Sequence, residues 1–104
     1  MATVFTLYAG LNSSNVYPNA FDINRSILFG ILGRNHSDGF TAFEGCGYFQ
    51  GVSEPVVVVT IIANGDDEAR AAHEAISLTA KEYKEEANQI EVWITVREEG
   101  LIIV

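Results

Sequence analysis

Basic residues are scarce. Six Lys and Arg stand against fourteen Asp and Glu, for a formal charge of −8 over 104 residues. Affinity for a nucleic-acid backbone comes from rows of Lys and Arg that release counterions, and attraction to anionic membrane surfaces has the same source. Neither nucleic acid nor membrane is therefore an expected partner. No apolar run approaches the ~20 residues of a membrane span. Cysteine is almost missing too: Cys46 stands alone, so no intrachain disulfide can form. Met1-Ala2-Thr3-Val4 shows no basic region leading into an apolar run and a cleavage site. These absences predict a reducing, cytoplasmic setting. With no CxxC and only His36 and His73, no metal site is expected, and nothing implies a cofactor. Both histidines read as solvated or structural. No nucleophile triad, Walker loop, HExxH or paired metal carboxylates can be assembled.

What the chain does have is apolar content, 48 % of its residues, too much for intrinsic disorder and enough for one domain spanning 1–104. Thr3 to Leu11 alternates, with Val4, Thr6, Tyr8 and Gly10 on one face and Phe5, Leu7 and Ala9 on the other, which predicts a strand. After Asn12-Ser13-Ser14-Asn15, Pro18 can occupy a first helical turn, and Phe21, Ile27, Leu28, Ile31 and Leu32 recur at helical spacing until Gly33. A turn-forming loop over 35–39 leads into a second strand from Phe40 to about Phe49. Glycines at 45 and 47 within it suggest a bulge or a backbone approached closely by something else. The connection Gly51-Val52-Ser53-Glu54 precedes Pro55-Val56-Val57-Val58-Val59-Thr60-Ile61-Ile62, a β-branched run suited to burial on both faces.

Asn64-Gly65-Asp66-Asp67 supplies a cap and an acidic first turn for a second helix, whose apolar positions are Ala69, Ala72, Ile76, Ala80, Tyr83 and Ala87. A last strand is predicted over Ile90 to Val96. It is followed by a turn at 97–100 and an apolar tail, Leu101-Ile102-Ile103-Val104. The order strand, helix, strand, strand, helix, strand predicts an α+β fold of the ferredoxin-like, split βαβ kind: a four-stranded antiparallel sheet with two helices on one face. Phe5, Phe43, Val57, Val59 and Trp93 leave apolar residues on both faces of several strands, so the helix-free face needs cover too. A homo-oligomer meets that need most economically, and the tail could pair with a neighbour's sheet edge.

Such a fold hosts many functions, so function must come from a site. The informative stretch is Asp38 to Pro55, which gathers glycines, aromatics and the carboxylates Glu44 and Glu54 around one hairpin. Glycines let a ligand approach the backbone, aromatic rings can stack on a base, and a carboxylate at a strand start can hold a cation. Each residue also has a plain structural reading. Glu54 can be a solvated loop residue, Tyr48 a half-buried strand aromatic, Glu44 a water-facing acid, and Phe43 and Phe49 core. Cys46 reads as an inert small apolar side chain.

A glycine-rich second strand, a short hairpin and an apolar C-terminal extension on this element order resemble the trimeric PII-like proteins. More narrowly, Gly45-Cys46-Gly47-Tyr48 and Ser53-Glu54 before a β-branched strand, then an Ala-rich helix, resemble the small bacteriophage S-adenosylmethionine (SAM) lyases over roughly residues 40–96. A small domain family of unknown function is similar through Leu7-Tyr8-Ala9-Gly10-Leu11, Asp38-Gly39-Phe40-Thr41 and Glu54. The lyase resemblance implies cleavage of SAM to 5′-methylthioadenosine and L-homoserine lactone, at sites between the subunits of a homotrimer. It also implies a biological role in blunting methylation-dependent restriction. It maps the catalytic pair onto Glu54 and Tyr48, with Glu44 as an alternative acid. Gly45, Cys46, Gly47, Phe49 and Ser53, with Glu44, would line the substrate. A PII-like module binding an adenine-containing ligand, and a ligand-free structural oligomer, remain open beside it. Charge favours SAM over a nucleotide. Arg25, Arg34, Arg70, Lys81 and Lys84 fall on or beside helices, leaving only Arg97 near a strand end to meet a triphosphate. SAM carries a sulfonium and an ammonium against one carboxylate, which suits an acidic chain.

Overall fold

The run Val56 to Thr60 is hydrogen-bonded to a neighbouring strand along both edges, in a computed structural model that describes residues 1–12, 20–49 and 51–104, the Phe49 side chain excepted. The elements are β1 (Ala2–Gly10), α1 (Phe21–Asn35), β2 (Thr41–Phe49), β3 (Val52–Asn64), α2 (Asp66–Glu86) and β4 (Trp93–Glu99). The sheet order is β2-β3-β1-β4, with every neighbour antiparallel. This is the ferredoxin-like topology that the element order predicts.

Strand alternation then decides the two faces. Phe5, Leu7 and Ala9 of β1 and Val57, Val59 and Ile61 of β3 pack beneath Leu28, Ile31 and Leu32 of α1 and Ala72, Ile76 and Tyr83 of α2. Thr79, which the apolar period of α2 passes over, is buried as well. Its hydroxyl donates to the Ala75 carbonyl at 2.8 Å and accepts from Asn35 Nδ2 at 3.2 Å, so burial leaves no polar atom unpaired there. Val4, Thr6, Tyr8 and Gly10 take the helix-free face of β1, opposite Arg97, Thr95, Trp93 and, on the other side, Val56 to Ile62 at alternate positions.

Several boundaries differ from the sequence reading. Among the described residues α1 starts at Phe21, and Pro18 lies outside them. The helix passes Gly33 and ends at Asn35, since one glycine inside a helix costs only about 1 kcal/mol relative to alanine. Residues 52–54 are not a connection. Gly51 makes the reversal at φ +79°, and Val52, Ser53 and Glu54 already pair with Phe49, Tyr48 and Gly47. The second strand has no bulge, because its register with β3 is one-to-one from Thr41↔Thr60 to Phe49↔Val52.

β4 lies three residues beyond its predicted start and continues through Glu99, where a turn was expected. Pairing along β1 down to Ala2↔Glu99 pins it there, and an exposed edge strand accepts the charges of Arg97, Glu98 and Glu99. Phe43, one of the core candidates, is 58 % exposed on the helix-free face opposite Val58. At the start of α2 no side chain of the predicted cap bonds the helix. Instead Glu68 Oε2 accepts from the Asn64 N–H at 2.7 Å. Residues 101–104 are exposed and in no regular element. No helix among the described residues is long and apolar enough to cross a membrane.

Ile76 is fully buried between α2 and the sheet. Truncating it to Ala removes buried methylenes and leaves a cavity, so the variant is expected to lose about 2–5 kcal/mol of stability. Urea unfolding should show a lower midpoint at an unchanged slope.

Candidate functional site

The helix-free face is hollowed where small residues adjoin aromatic ones. Gly10 on β1 and Gly45 and Gly47 on β2 leave the floor without side chains, while Tyr8, Trp93, Val56 and Val58 rise around it. The result is an open depression of about 540 Å³, bounded at one end by Glu54, Gln89 and Glu91. Two of the glycines are required by close approach. A Cβ on Gly47 would stand 2.8 Å from Val56 Cγ2, and one on Gly10 would stand 2.8 Å from the Glu54 carboxylate.

Glu54 is therefore seated directly on the backbone of β1. Its Oε2 also accepts from the Asn12 N–H at 3.3 Å, and the Leu11 N–H donates to the Pro55 carbonyl at 3.0 Å. The strand end that carries this carboxylate is held from behind. Tyr83 Oη donates to the Gly10 carbonyl at 2.5 Å, Asn24 Nδ2 to the Leu11 carbonyl at 2.7 Å, and Gln89 Nε2 to the Asn12 carbonyl. Burial of Tyr83, with the nearby charge of Glu54 adding to it, holds the phenol above its ordinary pKa. The phenol thus stays a neutral donor.

The predicted site residues divide by strand parity. Gly45, Gly47 and Glu54 share the face of the depression. Glu44, Cys46, Tyr48 and Ser53 alternate to the other side of the hairpin. Glu44 there forms an ion pair with Arg25 of α1, which also holds Asp22 at 2.5 Å. Cys46 Sγ lies 3.2 Å from Ser53 Oγ. Cys46 and Tyr48 still contribute to the rim of the depression, and the Tyr48 side chain is well exposed. The side chain of Phe49 lies outside the described residues.

Sequence reasoning missed Tyr8, Gly10, Gln89, Glu91 and Trp93 as neighbours of Glu54. The alternation of β1 already put Tyr8 and Gly10 on one face. What was missing was the register that sets Trp93 opposite Tyr8 and Val56 opposite Gly10.

Electrostatically the depression has one sign. Its lining includes two carboxylates and no Lys, Arg or His. All four arginines are engaged with carboxylates elsewhere: Arg25 with Asp22 and Glu44, Arg34 with Glu82, Arg70 with Asp67 and Arg97 with Glu99. Both lysines lie on the exposed face of α2. Among the described residues no group of three His, Cys, Asp or Glu could hold a metal ion.

No protein-family model matches the chain, and no curated protein does. Solved structures do. A phage SAM lyase in complex with S-methyl-5′-thioadenosine is 20 % identical with a TM-score of 0.57, over 93 % of this chain and 81 % of that one. A phage SAM lyase in its apo state is 21 % identical at the same TM-score, over 91 % and 78 %. A de novo designed protein, Foldit4, is 12 % identical with a TM-score of 0.62, over 96 % and 100 %. These likenesses show a shared fold.

Replacing Tyr83 with Phe takes the side-chain donor away from the part-buried Gly10 carbonyl, with an expected cost of about 1–3 kcal/mol. The raised phenol pKa adds a pH signature. The stability it contributes is present below the ordinary tyrosine value of about 10 and is lost as pH rises beyond it. Denaturation followed between pH 8 and 11 should show a shallower alkaline decline in Tyr83→Phe than in the unaltered protein.

Proposed function

We propose that the chain is a SAM lyase that cleaves its substrate to 5′-methylthioadenosine and L-homoserine lactone. The observation that carries this reading is the seating of the Glu54 carboxylate on Gly10, at the end of a depression lined by acids and aromatic rings and by no base. The likeness to a lyase solved with S-methyl-5′-thioadenosine supports it. The chemistry asks for few functional groups, which fits a site so poor in them. The substrate's own carboxylate attacks its γ-carbon, the C–O bond forms as the C–S bond breaks, and the bonding pair leaves on sulfur. A sulfonium cation becomes a neutral thioether and a carboxylate becomes a neutral lactone, while the ammonium is retained. No external acid, base or electron donor is required.

The protein's contribution is then orientation and removal of water from the nucleophile, and orientation alone can be worth ~7–11 kcal/mol. In this reading Glu54 holds the substrate's ammonium or ribose and folds the methionine chain back on itself. The bare backbone at Gly45 and Gly47 receives the adenine. Tyr48, at the rim, offers its hydroxyl or ring towards the sulfonium. Glu44, Cys46, Phe49 and Ser53 belong to the hairpin that shapes that rim. Phe43 and Ile62 are exposed on the same face, and we assign their cover to further copies of the chain, in a PII-like homotrimer with sites shared between subunits. As a phage-encoded enzyme in the host cytoplasm, it would deplete the methyl donor on which restriction systems depend.

Incubation with SAM, followed by chromatography, should yield methylthioadenosine and homoserine lactone in equal amounts. Glu54→Gln is expected to lose at least about 100-fold in kcat/KM, and full turnover by that variant would sink the assignment. Gly10→Ala should keep the fold, because the new methyl meets only the movable end of Glu54, yet lose turnover at least tenfold by displacing the carboxylate. A thermal shift with SAM but no products would identify a binding module instead. Light scattering that returned a monomer would remove the shared-site trimer.

A further inference from the structure

We infer that Tyr8 and Trp93 form a wall that reads positive charge, so that the depression selects an adenosyl ligand carrying a cationic centre over its neutral analogue. The two residues are directly opposed in the β1–β4 register, and both line the depression. Directly opposed residues on one face have Cβ atoms about 4.5–5.5 Å apart, so the phenol and the indole rise side by side from the same floor. They are 38 % and 62 % exposed, which leaves ring faces free to meet a ligand.

The wall works together with charge. Glu91, two residues ahead of β4, lines the depression as well, and so does Glu54. A cation entering here meets two carboxylates and two electron-rich ring faces, and it displaces no resident base. A neutral thioether gains from the rings only by apolar contact. An anion has nothing to pair with. Indole is the strongest of the aromatic side chains in attracting a cation, and the attraction grows as water is removed.

The inference rests on the lyase reading for the adenosyl part of the ligand, but it does not depend on turnover. It can therefore be tested with ligands that do not react. Sinefungin carries an ammonium-bearing carbon in place of the sulfonium and has no leaving group. S-adenosylhomocysteine has a neutral thioether at the same position and is otherwise alike. Calorimetric titration of the full chain should show sinefungin binding roughly tenfold more tightly than S-adenosylhomocysteine. Trp93→Leu and Tyr8→Leu should each shrink that ratio to threefold or less.

Because Trp93 is the chain's single tryptophan, biosynthetic incorporation of mono-, di- and trifluorotryptophan withdraws charge from this ring alone. The logarithm of sinefungin affinity should fall steadily along that series while S-adenosylhomocysteine affinity stays level. A flat series, equal affinity for the two ligands, or binding of neither overturns the wall. Selection of sinefungin with no cleavage of SAM would remove the lyase and leave the wall standing. Cleavage of SAM with a flat fluorination series would do the reverse.

Discussion

The end of β1 is the point on which the molecule turns. Over Gly10, Leu11 and Asn12 the strand reaches the end of its pairing with β3, and three carbonyls and two N–H groups take partners there. The five are taken up by four parts of the chain: Tyr83 from α2, Asn24 from α1, Gln89 from the segment after α2, and Pro55 and Glu54 from β3. An unpaired backbone group in a buried setting costs about as much as a lost hydrogen bond or more, so each of these contacts favours the arrangement that holds the others. The docking of both helices and the placement of the Glu54 carboxylate therefore meet at one strand end.

Sequence periodicity carried the fold well, for physical reasons that can be assigned to particular residues. Phe5, Leu7 and Ala9 against Tyr8 and Gly10, and Ala72, Ile76 and Tyr83 along α2, are patterns with one stable solution each: bury the apolar set. The β-branched run at 56–62 is an interior strand as expected, but only Val57, Val59 and Ile61 are buried, while Ile62 on the helix-free face is exposed. Boundaries were less legible where a charged or small residue is tolerated by its setting. Arg97 to Glu99 look like a turn, but on an edge strand their side chains reach water and the backbone still pairs.

The site was half legible. Glu54, Gly45 and Gly47 stand out in sequence and do share a face. Glu44, Cys46 and Tyr48 stand out equally, and the two-residue period of a strand sends them to the other side. Proximity along a strand is a poor guide to proximity in a site, because neighbours diverge and partners come from other strands. Tyr8 and Trp93 are 85 positions apart and directly opposed. Nothing local to either residue announces the other. Charge, by contrast, was legible as a total before it could be placed. The net −8 is an acid excess over the whole chain, and the pairing of every arginine with a carboxylate outside the depression leaves the depression itself acidic.

The depression lies on the face of the sheet that the helices leave bare, with the packed interior on the opposite side of a single layer of strands. Residues that would meet a ligand, such as Val58, Thr95 and Trp93, therefore alternate with residues of the other face, such as Val59 and Ile94, whose side chains pack towards the helices. A lineage, or a laboratory library, can accordingly sample ligand-facing positions one by one at little cost to folding, and new specificities can arise on this scaffold without compensating changes in its interior.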